Sequence, residues 1–83
     1  MFTVYILRDK NGKFYKGLTN DLPRRLQEHH RGKTKSTSRM ENLEVIYTET
    51  FNTFDDARKR ELYFKSGAGR RYLKKKLSIG PLA

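Results

Sequence analysis

The chain contains no cysteine. Neither a disulfide framework nor a cysteine-ligated zinc site is therefore open to it. It also lacks any apolar run long enough to span a bilayer. Its first residues, Met1-Phe2-Thr3-Val4, do not show the charged-then-apolar order of a signal peptide, so a cytoplasmic protein is the expectation. Acidic residues are scarce, 9 against 19 basic ones, which leaves a formal charge of +10 on 83 residues. Such an excess points to a polyanionic partner, most often nucleic acid. Interleaved aromatics and a patterned apolar skeleton argue against a disordered basic tail. At this length a single domain over residues 1–83 with a modest core is expected.

What is present reads as β-β-α-β-α-α, an α+β arrangement of a small three-stranded antiparallel sheet with about three helices. A first strand covers about Phe2 to Arg8 and a second about Lys13 to Leu18. Between them, Asp9-Lys10-Asn11-Gly12-Lys13 fits a three-residue hairpin loop, a type I turn followed by a left-handed glycine. That register pairs Leu7 with Tyr15 and Tyr5 with Gly17, so both tyrosines share a face beside a glycine that leaves room for approach. Val4, Ile6, Phe14 and Leu18 take the other face as a core side. A two-residue Asn11-Gly12 turn would put the tyrosines on opposite faces instead.

Asn20 or Asp21 can cap a helix that tolerates Pro23 in its first turn and ends at Gly32. The stretch Lys33 to Arg39 is polar and basic and reads as a loop, and Leu43 to Glu49 alternates as a third strand. Thr53 begins a second helix, Ser66-Gly67-Ala68-Gly69 interrupts it, and a short basic helix from Arg70 to Leu77 precedes Gly80-Pro81.

On the first helix, Leu22, Arg25, Leu26 and His29 lie on adjoining rows, which sets Arg25 and His29 beside the buried stripe. Arg24, Gln27, Glu28 and Arg31 look outward by the same count. A packed stem or ion pair for Arg25, and a capping role for His29, are the structural readings of those two. On the second helix, Phe54, Ala57, Phe64 and Ala68 form an apolar stripe with Glu61 inside it. A carboxylate held against a core needs an ion-pair partner or a metal. Arg25 is the obvious partner, and the two readings stand level here. With one carboxylate so placed, any metal is single and mostly water-coordinated, which suits Mg²⁺ or Mn²⁺.

Together these residues resemble the GIY-YIG nuclease domain, in particular its small stand-alone bacterial members, similar to the N-terminal domain of a bacterial excinuclease. Val4-Tyr5-Ile6 stands where the family's first motif falls and Tyr15-Lys16-Gly17 where the second does. Thr19 through His29 looks like its arginine- and histidine-bearing helix, and Ala57 through Glu61 with Lys65 like its glutamate segment. The resemblance spans nearly the whole chain. It implies hydrolysis of a nucleic-acid phosphodiester with one divalent metal, DNA ahead of RNA. Tyr5 would be the base or orient the attacking water, and Tyr15 would assist it or hold phosphate. Arg25 would stabilise phosphate charge, His29 support proton transfer and Glu61 hold the metal, while Gly17 would permit close approach.

The chain departs from the pattern at Lys16, where an apolar residue is usual, at Leu18, and in having no asparagine after Glu61. Lys16, Lys33, Lys35, Arg39, Arg70, Arg71 and Lys74 are the candidate phosphate contacts. The alternative function is a non-catalytic basic module that binds DNA or RNA, with affinity that falls steeply with salt. A protein-interaction domain that keeps only the fold is a third.

Overall fold

The computed structural model describes residues 1–32, 37 and 40–76. Its elements run β1 (Phe2–Arg8), β2 (Phe14–Thr19), α1 (Leu22–His30), β3 (Glu44–Phe51), α2 (Phe54–Lys65) and α3 (Gly67–Lys76). The strands form one antiparallel sheet in the order β2-β1-β3, so β1 is central. The α+β class and the element order agree with the sequence reading.

The hairpin adopts the three-residue form. Leu7 pairs with Tyr15 and Tyr5 with Gly17, and Asp9 N–H donates to the Lys13 carbonyl at 2.9 Å. Asp9 is buried because its carboxylate closes the turn, accepting from the backbone N–H groups of Asn11 and Lys13 at 2.9 and 2.8 Å. Gly12 takes the positive φ of +84° that this loop demands.

Val4, Tyr5, Ile6 and Leu7 are all fully buried, because β1 is covered on both faces. One face packs Val4 and Ile6 with Ala57, Phe64 and Leu73 of α2 and α3, with Phe14 and Leu18 at its margin. The other packs Tyr5 and Leu7 with Leu43 and, from α1, Leu22 and Leu26. A bulge between Ile6 and Leu7 shifts the β3 register there. Arg60 ties the α2–α3 layer to β3: its guanidinium grips Glu49 at 2.8 and 3.2 Å and lies over the rings of Tyr63, Phe64 and Tyr72.

Several boundaries differ from expectation. The helix break is one residue wide, at Ser66, and Gly67, Ala68 and Gly69 already belong to α3. Ser66 serves both helices, its N–H donating to the Tyr63 carbonyl and its Oγ accepting from Gly69 N–H at 3.1 Å. Ala68 therefore does not continue the α2 stripe, and Phe54 is half exposed against the edge of Phe2. β3 extends to Phe51, past the expected Glu49. The expected end of the last helix at Leu77, the Gly80-Pro81 terminator and the basic loop residues Lys33, Lys35 and Arg39 lie outside the described residues.

Gly69 is where the two C-terminal helices meet. A β-carbon there would overlap the Tyr63 carbonyl oxygen and the Phe64 Cα, both backbone atoms that no rotamer change can clear. Gly69→Ala is expected to cost roughly 3 kcal/mol or more, at the upper end for overpacking. Urea unfolding read by far-UV circular dichroism measures it, and a midpoint equal to wild type would show that the helices are not in backbone contact.

Candidate active site

The hairpin register sends Tyr5 and Tyr15 to the α1 face of the sheet. Their ring centroids lie 6.2 Å apart. α1 starts where Asp21 accepts a cap from Arg24 N–H, and two turns later delivers His29 onto this pair. His29 is 2% exposed and packs edge-on against both rings, at 5.8 Å from Tyr5 and 5.0 Å from Tyr15. Its Nε2 is 2.8 Å from the Tyr5 hydroxyl and its Nδ1 is 2.7 Å from Thr37 Oγ1. A capping histidine is thus excluded: both ring nitrogens are committed inward.

A neutral imidazole makes both contacts in either tautomer: Tyr5 O–H donates to Nε2 while Nδ1–H donates to Thr37, or both bonds run the other way. Burial pushes the Tyr5 hydroxyl up to about 12, while Arg25 beside it pulls the other way. Burial also lowers the His29 pKa, helped by the Arg25 charge, so the imidazole is held neutral.

Arg25 links this cluster to an open cleft of about 490 Å³ at the end of the sheet. Phe2, Leu18, Thr19 and Asn20 supply its strand side, Arg24, Arg25 and Glu28 enter from α1, and Phe54, Arg58 and Glu61 from α2. The expected Arg25–Glu61 ion pair is replaced by another pattern. Arg25 Nη1 donates to Glu28 at 2.8 Å, which raises the Arg25 pKa further. Glu61, 6% exposed, accepts from Arg58 at 2.8 Å on one oxygen and from Lys65 at 3.2 Å on the other. Glu28 turns into the cleft rather than outward, because the cations of Arg24 and Arg25 draw it there.

Of the residues expected in the site, Tyr5, Tyr15, Arg25 and His29 stand together, and Glu61 shares the cleft with Arg25. The space that Gly17 leaves is filled from within: a β-carbon there would overlap the Tyr5 ring, so the close approach it permits is made by Tyr5 itself. Lys16 points to the opposite face, toward Arg70, Arg71 and Lys74. Among the described residues no group of three or more His, Asp or Glu stands together as a ready metal cage.

Thr37, Glu28 and Arg58 were not singled out by sequence. Thr37 sits in a polar basic stretch that reads as loop, and only its 1% exposure in the fold distinguishes it. Glu28 and Arg58 differ from solvated helix charges only through the cleft that α1 and α2 enclose.

The sequence profile of the GIY-YIG catalytic domain matches residues 1–76. The chain belongs to this family. Its relatives include the UPF0213 protein YazA of Bacillus subtilis, 39% identical over 74% of this chain and 63% of that protein. A UPF0213 protein of Staphylococcus saprophyticus is 32% identical over 86% of this chain and 88% of its own length. The solution structure of a UPF0213 protein from Bacillus halodurans superposes with a TM-score of 0.58 at 32% identity, covering 99% of this chain and 90% of that one. The chain thus spans less than two thirds of YazA but most of the other two. In this GIY-YIG chain Tyr5 and Tyr15 stand side by side, with His29 against both rings and Arg25 beside their hydroxyls.

The His29 arrangement has a pH consequence. A histidine whose folded pKa is depressed contributes stability that is complete above its unfolded value, about 6.5, and is lost as the unfolded chain takes up protons below it. Melting temperatures measured from pH 7.5 down to 5 should fall for wild type and fall less for His29→Gln. Parallel curves for the two proteins would show that the imidazole is not held neutral by burial.

Proposed function

We propose that this protein is a divalent-metal-dependent endonuclease that hydrolyses phosphodiester bonds of nucleic acid, with DNA favoured over RNA. The observation that carries this reading is the Tyr5 hydroxyl hydrogen-bonded to a neutral His29, with Arg25 bridging that pair to the Glu61 cleft. Membership of the GIY-YIG family supports it.

In this reading the cleft receives one backbone phosphate. Arg25 and Arg24 hold its oxygens and offset charge that develops on them as water attacks phosphorus. Tyr5 orients that water and takes its proton while passing its own to His29 Nε2, so no free tyrosinate has to accumulate against the raised pKa. The phosphorus–oxygen bond to the leaving group then breaks with its electron pair going to that oxygen, and the alkoxide takes a proton from solvent in the open cleft. The relay uses the tautomer of His29 in which Nδ1–H donates to Thr37 and Nε2 accepts from Tyr5. Tyr15, half-buried and beside both rings, assists in holding phosphate.

The donor set fits a hard cation held by a single carboxylate, Glu61, with water completing the shell. Its present partners do not forbid this, since the Arg58 and Lys65 side chains are about half exposed and a divalent cation would replace the charge they supply. Such a cation would supply charge neutralisation and a leaving-group clamp.

One observation favours the second reading, a basic module that binds nucleic acid without cutting it: Tyr5 is wholly enclosed. A base must reach a water on the substrate, so catalysis requires the wall over the Tyr5 hydroxyl to open.

The two readings separate in one experiment. Glu61→Gln and Tyr5→Phe are expected to lower Mn²⁺-dependent cleavage by roughly a hundred-fold or more while leaving DNA binding nearly unchanged. Single-stranded, duplex and branched DNA, and RNA, should be screened with Mg²⁺ and Mn²⁺. No cutting of any of them would leave the binding module, and equal activity in wild type and Glu61→Gln would identify a contaminant.

A further inference from the structure

A second cleft, of about 370 Å³, opens between β2 and α3. Phe14 forms its apolar floor, and Lys16, Arg70, Arg71 and Lys74 converge on it. Among the described residues none of these four cations is ion-paired to an acidic side chain, and no acidic residue lines the cleft. The two carboxylates carried toward the α2–α3 layer are engaged by other cations: Glu61 takes Arg58 and Lys65, and Glu49 takes Arg60. Lys16 is half-buried in this positive field, and burial lowers its pKa, with Arg70 and Lys65 adding repulsion. Like charges held together against their own repulsion are the electrostatic signature of an anion site.

The position of the cleft names the anion. Phe14, Lys16 and Leu18 alternate along one face of the edge strand β2. Phe14 and Lys16 line the second cleft, and Leu18 lines the Arg25–Glu61 cleft. Lys16 and Leu18 are two residues apart, about 7 Å along a strand. On α2, Glu61 lines the first cleft, and Lys65 one helical turn on pairs with it and lies close enough to Lys16 to repel it. The two clefts are therefore contiguous along one sheet edge. A small free anion needs only one of them, whereas a polyanion with regularly spaced charges fills both.

We propose that Lys16, Arg70, Arg71 and Lys74 form a second phosphate-binding site for the same polynucleotide strand, holding backbone phosphates beside the one in the Arg25–Glu61 cleft. This deepens the nucleic-acid reading and rests on it. Lys16, the residue that departs most from the family's second motif, is then the contact that couples the two clefts.

The test uses Lys16→Gln/Arg70→Gln/Lys74→Gln beside a control with equal charge loss at exposed positions, Lys13→Gln/Arg31→Gln/Lys59→Gln. Binding to a single-stranded DNA 20-mer is measured by anisotropy against salt in the presence of EDTA, so that catalysis plays no part. The site variant should bind at least ten-fold more weakly near 0.1 M salt, and its log–log salt slope should flatten by about 2, from about 0.7 per phosphate lost. The control should shift by less than three-fold. The thermal midpoint of the site variant should be no lower than wild type, since repulsion around Lys16 is relieved. Equal losses in site variant and control would overturn the proposal, leaving only net charge. Amide NMR shifts on titration with inorganic pyrophosphate give an independent readout, expected at Lys16 and Gly67–Lys74, and shifts scattered over all basic surfaces would also overturn it. A wild type that binds DNA through this site but cuts nothing would remove the endonuclease reading alone.

Discussion

A tyrosine hydroxyl buried under a helix must find a hydrogen-bond partner, and the architecture of the site follows from how this chain supplies one. Leaving such a hydroxyl unsatisfied costs on the order of 1–3 kcal/mol. Tyr5 lies on the central strand, fully enclosed. His29 meets it, and His29 in turn needs a partner for its far nitrogen, which Thr37 provides. The chain of requirements runs from β1 through α1 to the segment after it. It fixes the azimuth of α1 on the sheet, and with it the direction in which Arg25, one turn earlier, leaves the helix. Gly17 belongs to the same constraint, since only a residue without a β-carbon lets the Tyr5 ring lie flat over its neighbour strand.

The acidic residues answer to a similar constraint. Against nineteen basic side chains, the carboxylates of Glu28, Glu49 and Glu61 are each drawn between cations or polar donors. Glu49 is gripped by both prongs of Arg60, accepts from Tyr47, and has its pKa lowered overall despite its burial. That group is structural: it fastens β3 to the aromatic layer of α2 and α3. Glu61 is held differently. Its two partners are long and half exposed, so either can be displaced only by another cation that takes over the charge of the buried carboxylate. A buried carboxylate with replaceable cations is suited to exchange, and one with a locked bidentate arginine is not.

Much of this was legible in the sequence because it depends on local rules. The hairpin register followed from Asp9 and Gly12, and the register alone placed Tyr5 and Tyr15 on one face. The helix spacing of Arg25 and His29 set them beside the buried stripe. The misses have two sources. Arg25 and Glu28 are neighbours by i,i+3 spacing, as are Arg58 and Glu61, so the ion pairs follow the local rule and the sequence reading erred in reaching across to an Arg25–Glu61 pair. Thr37 is a small polar residue among polar residues, and only the position of His29 gives it meaning. The one-residue helix break at Ser66 was hidden by Gly67 and Gly69, which read as helix breakers; the close packing against Tyr63 shows why glycine is needed at Gly69.

The edge position of β2 reconciles the two faces. In a strand the side chains alternate, so Tyr15 and Gly17 serve the α1 face while Phe14, Lys16 and Leu18 serve the α2–α3 face. In a central strand these sets would be sealed from one another. At the edge no further strand intervenes, and α1 and α2 approach each other around the strand end to enclose one cleft from both sides. Glu61, from one layer, can therefore stand in the same cleft as Arg25, from the other. The cations at an exposed edge also discourage pairing with a second sheet, since an added strand would have to bury Lys16. A charge at that position opposes edge-to-edge association and attracts anions at once, which accounts for a lysine between Tyr15 and Gly17 where an apolar residue would pack without desolvating a charge.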